Sequence, residues 1–63
     1  MPIIDIKLIE GRTVDQKRRL VTAVTDAVVE SIGVKPDTVR IVIHDMAKEN
    51  YAIAGVLICD EKK

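Results

Sequence analysis

Hydrophobic and polar positions change period twice along this chain, and each change marks an element. Residues 3–9, Ile-Ile-Asp-Ile-Lys-Leu-Ile, place Ile4, Ile6 and Leu8 on one face and Ile3, Asp5, Lys7 and Ile9 on the other. A period of two predicts a strand, and Gly11 breaks it. Thr13 and Gln16 then stand at capping-box spacing, which predicts a helix start. Leu20, Val24, Ala27, Val28 and Ile32 recur at three- and four-residue steps, and Val21 widens the stripe. Lys17, Arg18, Thr22, Asp26 and Glu30 are left for solvent. Gly33 suits the left-handed position that closes a helix, and Pro36 bars continuation. From Val39 to Asp45 the alternation returns, with Val39, Ile41 and Ile43 on one face and Arg40, Val42 and His44 on the other.

A strand, a helix and a second strand define an α/β chain of β-α-β type, with the two strands parallel and the crossover right-handed. The helix is expected to cover the face bearing Ile4, Ile6, Leu8, Val39, Ile41 and Ile43. The opposite face carries Ile3, Ile9 and Val42, and the chain has no element left to cover it. Parallel sheets normally have both faces buried, so another copy of the chain is the simplest cover. The tail from Met46 to Lys63 is less patterned. Its apolar segment Ala52-Ile53-Ala54-Gly55-Val56-Leu57-Ile58 reads as a loop, a tight turn and a short strand, suited to pairing with a neighbour's sheet edge.

Length and composition sharpen this picture. The chain of 63 residues predicts one domain, 1–63, with no room for a second. A domain of this size buries only about 60% of the surface its unfolded chain exposes. Disulfides, metals or oligomerisation usually supply the shortfall. The single cysteine, Cys59, cannot form an internal disulfide, and His44, Asp45 and Glu49 lack a recognised metal-ligand spacing. Oligomerisation remains, and a reducing cytoplasm is the expected compartment. Ten basic and ten acidic residues balance, and Tyr51 is the one aromatic, which argues against nucleic-acid binding. The apolar runs fall far short of the roughly 20 residues of a membrane span.

A few residues are candidates for chemistry. Pro2 becomes a secondary amine if Met1 is removed. In an apolar pocket near cations the charged form of such an amine is disfavoured, which brings it towards the range where a general base works. The alternative is a proline that merely precedes a strand. Arg12, just before the helix cap, faces the unfavourable positive end of the helix dipole, as if held there for an anion; a solvated loop arginine is the plainer reading. Arg40 interrupts an apolar strand. Its guanidinium suits bidentate carboxylate binding, or an ion pair with a strand neighbour such as Asp5. Arg18 and Arg19 read as a solvated helix face. Tyr51 packs at an interface or donates a hydrogen bond into a pocket. Cys59 has no evident catalytic partner.

Taken together, Pro2 after the initiator Met, Leu8-Ile9-Glu10-Gly11-Arg12-Thr13, Gln16-Lys17, Arg40 in the second strand, and Met46-Ala47-Lys48 leading to Tyr51 form a pattern. With it the whole chain resembles the 4-oxalocrotonate tautomerase family, the 2-hydroxymuconate tautomerases. The resemblance implies a β-α-β fold with a short C-terminal hairpin, assembled as a homohexamer, a trimer of dimers. It implies a cofactor-free, metal-free isomerase of the aromatic-hydrocarbon catabolic type. Pro2 would be the general base that takes the proton from the 2-hydroxyl of a dienol such as 2-hydroxymuconate. It would return a proton to the far carbon of the conjugated system. Arg12 would hold the distal carboxylate. Arg40, from a neighbouring subunit, would bind the 2-oxygen and the near carboxylate. Tyr51 stands where family members place an aromatic, often Phe, to keep the pocket apolar.

The chain departs from the pattern at Ala52-Ile53-Ala54-Gly55, where the best-known members have Gly-Ile-Gly-Gly. That departure bears on the turn and on substrate preference. Other family activities on the same scaffold are phenylenolpyruvate tautomerisation, hydration and dehalogenation. The last two usually want an extra carboxylate near the amine, for which Asp5 and Asp45 are the candidates. A non-catalytic oligomeric binding module is the rival from another class.

Overall fold

The computed structural model of this chain describes residues 1–61. Its elements are β1 (Ile3–Ile9), α1 (Val14–Ile32), β2 (Arg40–Met46), β3 (Ala52–Ile53) and β4 (Val56–Leu57), with three short 3-10 turns at Pro36–Thr38, Lys48–Asn50 and Ile58–Asp60. β1 and β2 pair in parallel, from Ile3 opposite Arg40 to Ile9 opposite Met46. β3 and β4 form a separate antiparallel hairpin. The β-α-β reading and the C-terminal hairpin both hold. Residues 62 and 63, the end of the expected tail and domain, lie outside the described residues.

Local chemistry sets these boundaries. Thr13 accepts from the Gln16 backbone N–H at 3.1 Å, while the Gln16 side chain accepts from the Thr13 N–H at 2.8 Å. This is the reciprocal cap expected from the sequence. At the other end Gly33 is left-handed, and its N–H reaches the Val29 carbonyl at 3.0 Å. β2 begins and ends one residue later than the alternation predicts. Pro36 nucleates a 3-10 turn that claims Val39, whose N–H bonds to the Pro36 carbonyl at 3.1 Å. Met46 continues the ladder opposite Ile9.

Ile4, Ile6 and Leu8 of β1, and Ile41 and Ile43 of β2, are half-buried, while their alternate neighbours Ile3, Asp5, Lys7, Arg40, Val42 and His44 are exposed. α1 lies on the half-buried face, tied to it by Lys17 Nζ and Asp45 Oδ2 at 3.5 Å. The helix stripe differs from the expected one. Lys17 is half-buried rather than left to solvent, because it lies three and four residues before Leu20 and Val21 on the same face. Ala27 is exposed at the stripe's margin. Ile32 is 61% exposed. A helix of 19 residues spans about 28 Å, longer than a seven-residue strand, so its last turn overhangs the sheet.

None of the described residues is fully buried within one chain. The accessible surface is 5035 Å², whereas a compact monomer of 7.0 kDa exposes about 4,000 Å². The radius of gyration is 14.9 Å, in a shape 43 × 24 × 16 Å, against about 11 Å for a compact chain of this length. Apolar side chains account for much of this surface: Ile3 and Val42 on the outer sheet face, and Ile53, Val56 and Leu57 on the hairpin.

Candidate active site

Pro2 sits immediately before β1 and is half-buried. Its carbonyl accepts from the Arg40 N–H at 3.0 Å, the rung that opens the parallel ladder. The residue bearing the candidate base is therefore anchored to the rigid sheet rather than to a loose terminus. Arg40 shares this end of the sheet. Its side chain belongs to the outer face, where Nη1 donates to the Asp37 carbonyl at 2.7 Å. The register sets Asp5 opposite Val42, and Asp5 Oδ1 instead lies 3.9 Å from His44 Nε2. The Arg40–Asp5 pair, the alternative to a carboxylate-binding role for Arg40, does not form.

Arg12 is at the opposite end. Gly11, at φ 123°, turns the chain out of β1 in a conformation that side-chain-bearing residues rarely adopt. Arg12 follows, and its Nη1 donates to the Ile9 carbonyl at 3.0 Å. Glu10 fastens this turn to the end of β2. Its N–H donates to the Met46 carbonyl at 2.7 Å, and its carboxylate accepts from the Lys48 N–H at 3.4 Å. Arg12 opens onto a recess of about 240 Å³, lined also by Leu8, Gln16, Lys17 and Leu20.

Tyr51 follows the 3-10 turn after β2 and is 43% exposed. Its carbonyl accepts from the Ile58 N–H at 2.8 Å, which closes the base of the hairpin. Within one chain, then, Pro2 and Arg40 meet through their backbones at the start of the sheet. Arg12 lies beyond the far end of β1, about 20 Å from Pro2 at the rise of an extended strand. Tyr51 leaves on the hairpin from that far end. One copy does not gather the four side chains into a single pocket.

Sequence reasoning missed two neighbours of Arg12. Gln16 and Lys17 line the same recess, and Asp45 holds Lys17. The signal was present: Lys17 falls on the Leu20–Val21 stripe, and Asp45 shares the strand face of Ile41 and Ile43.

The tautomerase enzyme family model matches residues 2–61. A 2-hydroxymuconate tautomerase of Bacillus subtilis (strain 168) is 43% identical over 60 residues, covering 95% of this chain and 97% of its own. One from Comamonas testosteroni is 46% identical over 56 residues, 89% of each chain. Among solved structures, a 4-oxalocrotonate tautomerase isozyme from Methylibium petroleiphilum superposes with a TM-score of 0.89 at 48% identity, covering 92% of this chain and 91% of that one. The chain belongs to the tautomerase family and has the 4-oxalocrotonate tautomerase fold. It is an isomerase that interconverts keto and enol forms.

Proposed function

We propose that this tautomerase converts 2-hydroxydienoates such as 2-hydroxymuconate to the 2-oxo-3-enoate, as a single domain over residues 1–63. Two relatives above 40% identity that bear the 2-hydroxymuconate tautomerase name support the substrate class. The observation that carries the mechanism is the hydrogen bond from Arg40 N–H to the Pro2 carbonyl. It fixes the backbone next to the reacting nitrogen, so that removal of Met1, itself 79% exposed, leaves an amine on a rigid ring at a defined place.

That amine takes the proton from the 2-hydroxyl. The electron pair moves through the diene, and the same proton, or one exchanged for it, is delivered to the far carbon. Arg40 stabilises charge on the 2-oxygen, and Arg12 holds the distal carboxylate and draws density towards it. Tyr51 supplies an apolar wall. The separation of Pro2 from Arg12 along one chain supports their coming from different copies, in a homohexamer or another even oligomer. Extra accessible surface and an uncovered sheet face support this assembly. The reaction calls on no cofactor or metal, and the lone thiol fits a cytoplasmic setting. Of the two carboxylates that water-adding chemistry could use, Asp45 pairs with Lys17 at the far end of the sheet from Pro2, and Asp5 stands on the outer face with Oδ1 3.9 Å from His44 Nε2.

The test is ultraviolet-monitored ketonisation of 2-hydroxymuconate, with intact mass confirming loss of Met1. Pro2→Ala should lower kcat by about 100-fold or more while the sedimentation profile stays unchanged. A fully active Pro2→Ala enzyme would overturn the proline mechanism.

A further inference from the structure

Among the described residues, Lys17 is the one charged residue that is half-buried rather than exposed. Its side chain retains 27% of its accessibility and lines the Arg12 recess. The Asp45 contact at 3.5 Å is longer than the roughly 2.7–2.9 Å of a charge-assisted hydrogen bond. Lys17 is therefore paired in charge without having its protons committed.

The rest of the lining is consistent in kind. Arg12 gives one N–H to Ile9 and has the remainder of its fork available. Gln16 has its amide oxygen engaged by the Thr13 N–H, so what it can offer a ligand is its N–H₂ group. Leu8 and Leu20 supply an apolar floor. Donors above hydrocarbon fit a ligand end that is an anionic acceptor on an apolar stem. A neutral or aromatic end would leave these donors without partners.

We propose that Lys17 determines specificity. It acts as a second cation beside Arg12 for the distal carboxylate, and it gives the enzyme its preference for dicarboxylate over monocarboxylate dienols. Asp45 is a positioning residue that holds the ammonium against the wall. The inference rests on the substrate class proposed above and adds a residue to it.

The experiment compares kcat/KM for 2-hydroxymuconate and for phenylenolpyruvate, whose distal end is an uncharged ring. Lys17→Met keeps the stem and removes the charge. The ratio of the two constants should fall about tenfold, chiefly through a higher KM for the dicarboxylate, as expected for one lost charge-assisted hydrogen bond. Lys17→Arg should restore most of it. Asp45→Asn should lower the ratio by less than Lys17→Met does, because the ammonium keeps its charge and loses its anchor. The double variant, Lys17→Met with Asp45→Asn, should match Lys17→Met. An unchanged ratio in Lys17→Met overturns the proposal. So does recovery in the double variant, because the loss would then come from repulsion by an unpaired Asp45.

Calorimetry with muconate separates this idea from the reaction itself. If the wild type ketonises neither substrate, yet Lys17→Met weakens muconate binding about tenfold, the reaction reading fails and Lys17 stands. If the wild type ketonises 2-hydroxymuconate and the ratio does not move, Lys17 fails alone.

Discussion

Ala54 and Gly55 form the two-residue loop between Ile53 and Val56, with φ values of 54° and 81°. Two successive positive φ angles match the twist of a tight hairpin, and they suit Asn-Gly or Gly-Gly. A left-handed alanine costs about 1–2 kcal/mol, part of which a glycine would return as unfolded-chain entropy. Ala54→Asn avoids that entropy and should raise unfolding stability by about 1 kcal/mol per chain, read from the urea midpoint at fixed protein concentration. The same scale governs Cys59. It is exposed, yet partial desolvation of the sulfur, and after it the Asp60 carboxylate with Oδ1 at 3.8 Å, hold the thiol above its ordinary range. A raised thiol has less thiolate at a given pH, so Asp60→Asn should quicken alkylation by iodoacetamide near pH 8, with the rate profile displaced to lower pH. The departure at Ala54 was legible in the sequence as a difference from the family pattern; its strain was not, because residue type alone does not report φ.

At the scale of elements, β1 is found where the alternation put it, and α1 begins where the Thr13–Gln16 box put it. Both signals are local. Thr13→Ala removes the side-chain cap and should destabilise the protein by about 1 kcal/mol. It should also weaken the Arg12 turn next to it, which a rise in KM for 2-hydroxymuconate would report. The second strand was placed one residue early because valine suits a strand start and a turn's end equally well, and Pro36 decided between them. Ala27 and Ile32 were misassigned for a related reason. Period identifies a helix face but says nothing of how far the sheet beneath it extends. Lys17 was misread because charge was allowed to outvote position, although a long aliphatic stem lets an ammonium edge a core stripe.

At the scale of the molecule, the sequence indicated a shortage of core and an open sheet face, and the structure has both. The sequence already put Pro2 before the first strand and Arg12 after it; what it did not reveal is the register that sets Arg40 opposite Ile3, beside Pro2. If Pro2 and Arg12 act in one pocket while standing about 20 Å apart in one chain, two inactive variants can repair each other. Pro2→Ala and Arg12→Ala oligomers, mixed and allowed to exchange subunits, should recover a measurable fraction of wild-type kcat; no recovery after demonstrated exchange would place both residues in one copy. Stability should likewise rise with protein concentration, because assembly and folding are linked.

The absence of a fully buried residue among the described residues also inverts the usual map of mutational tolerance. In most domains, positions that look exposed accept change within about 0.5 kcal/mol. Here Ile3, Val42 and Ile53, at 62%, 45% and 55% exposure in one chain, are the positions where a polar substitution should be least forgiven. A scan of all positions would then rank them with the interior residues of larger proteins, and this chain's surface would carry the selective constraint that other folds reserve for their centre.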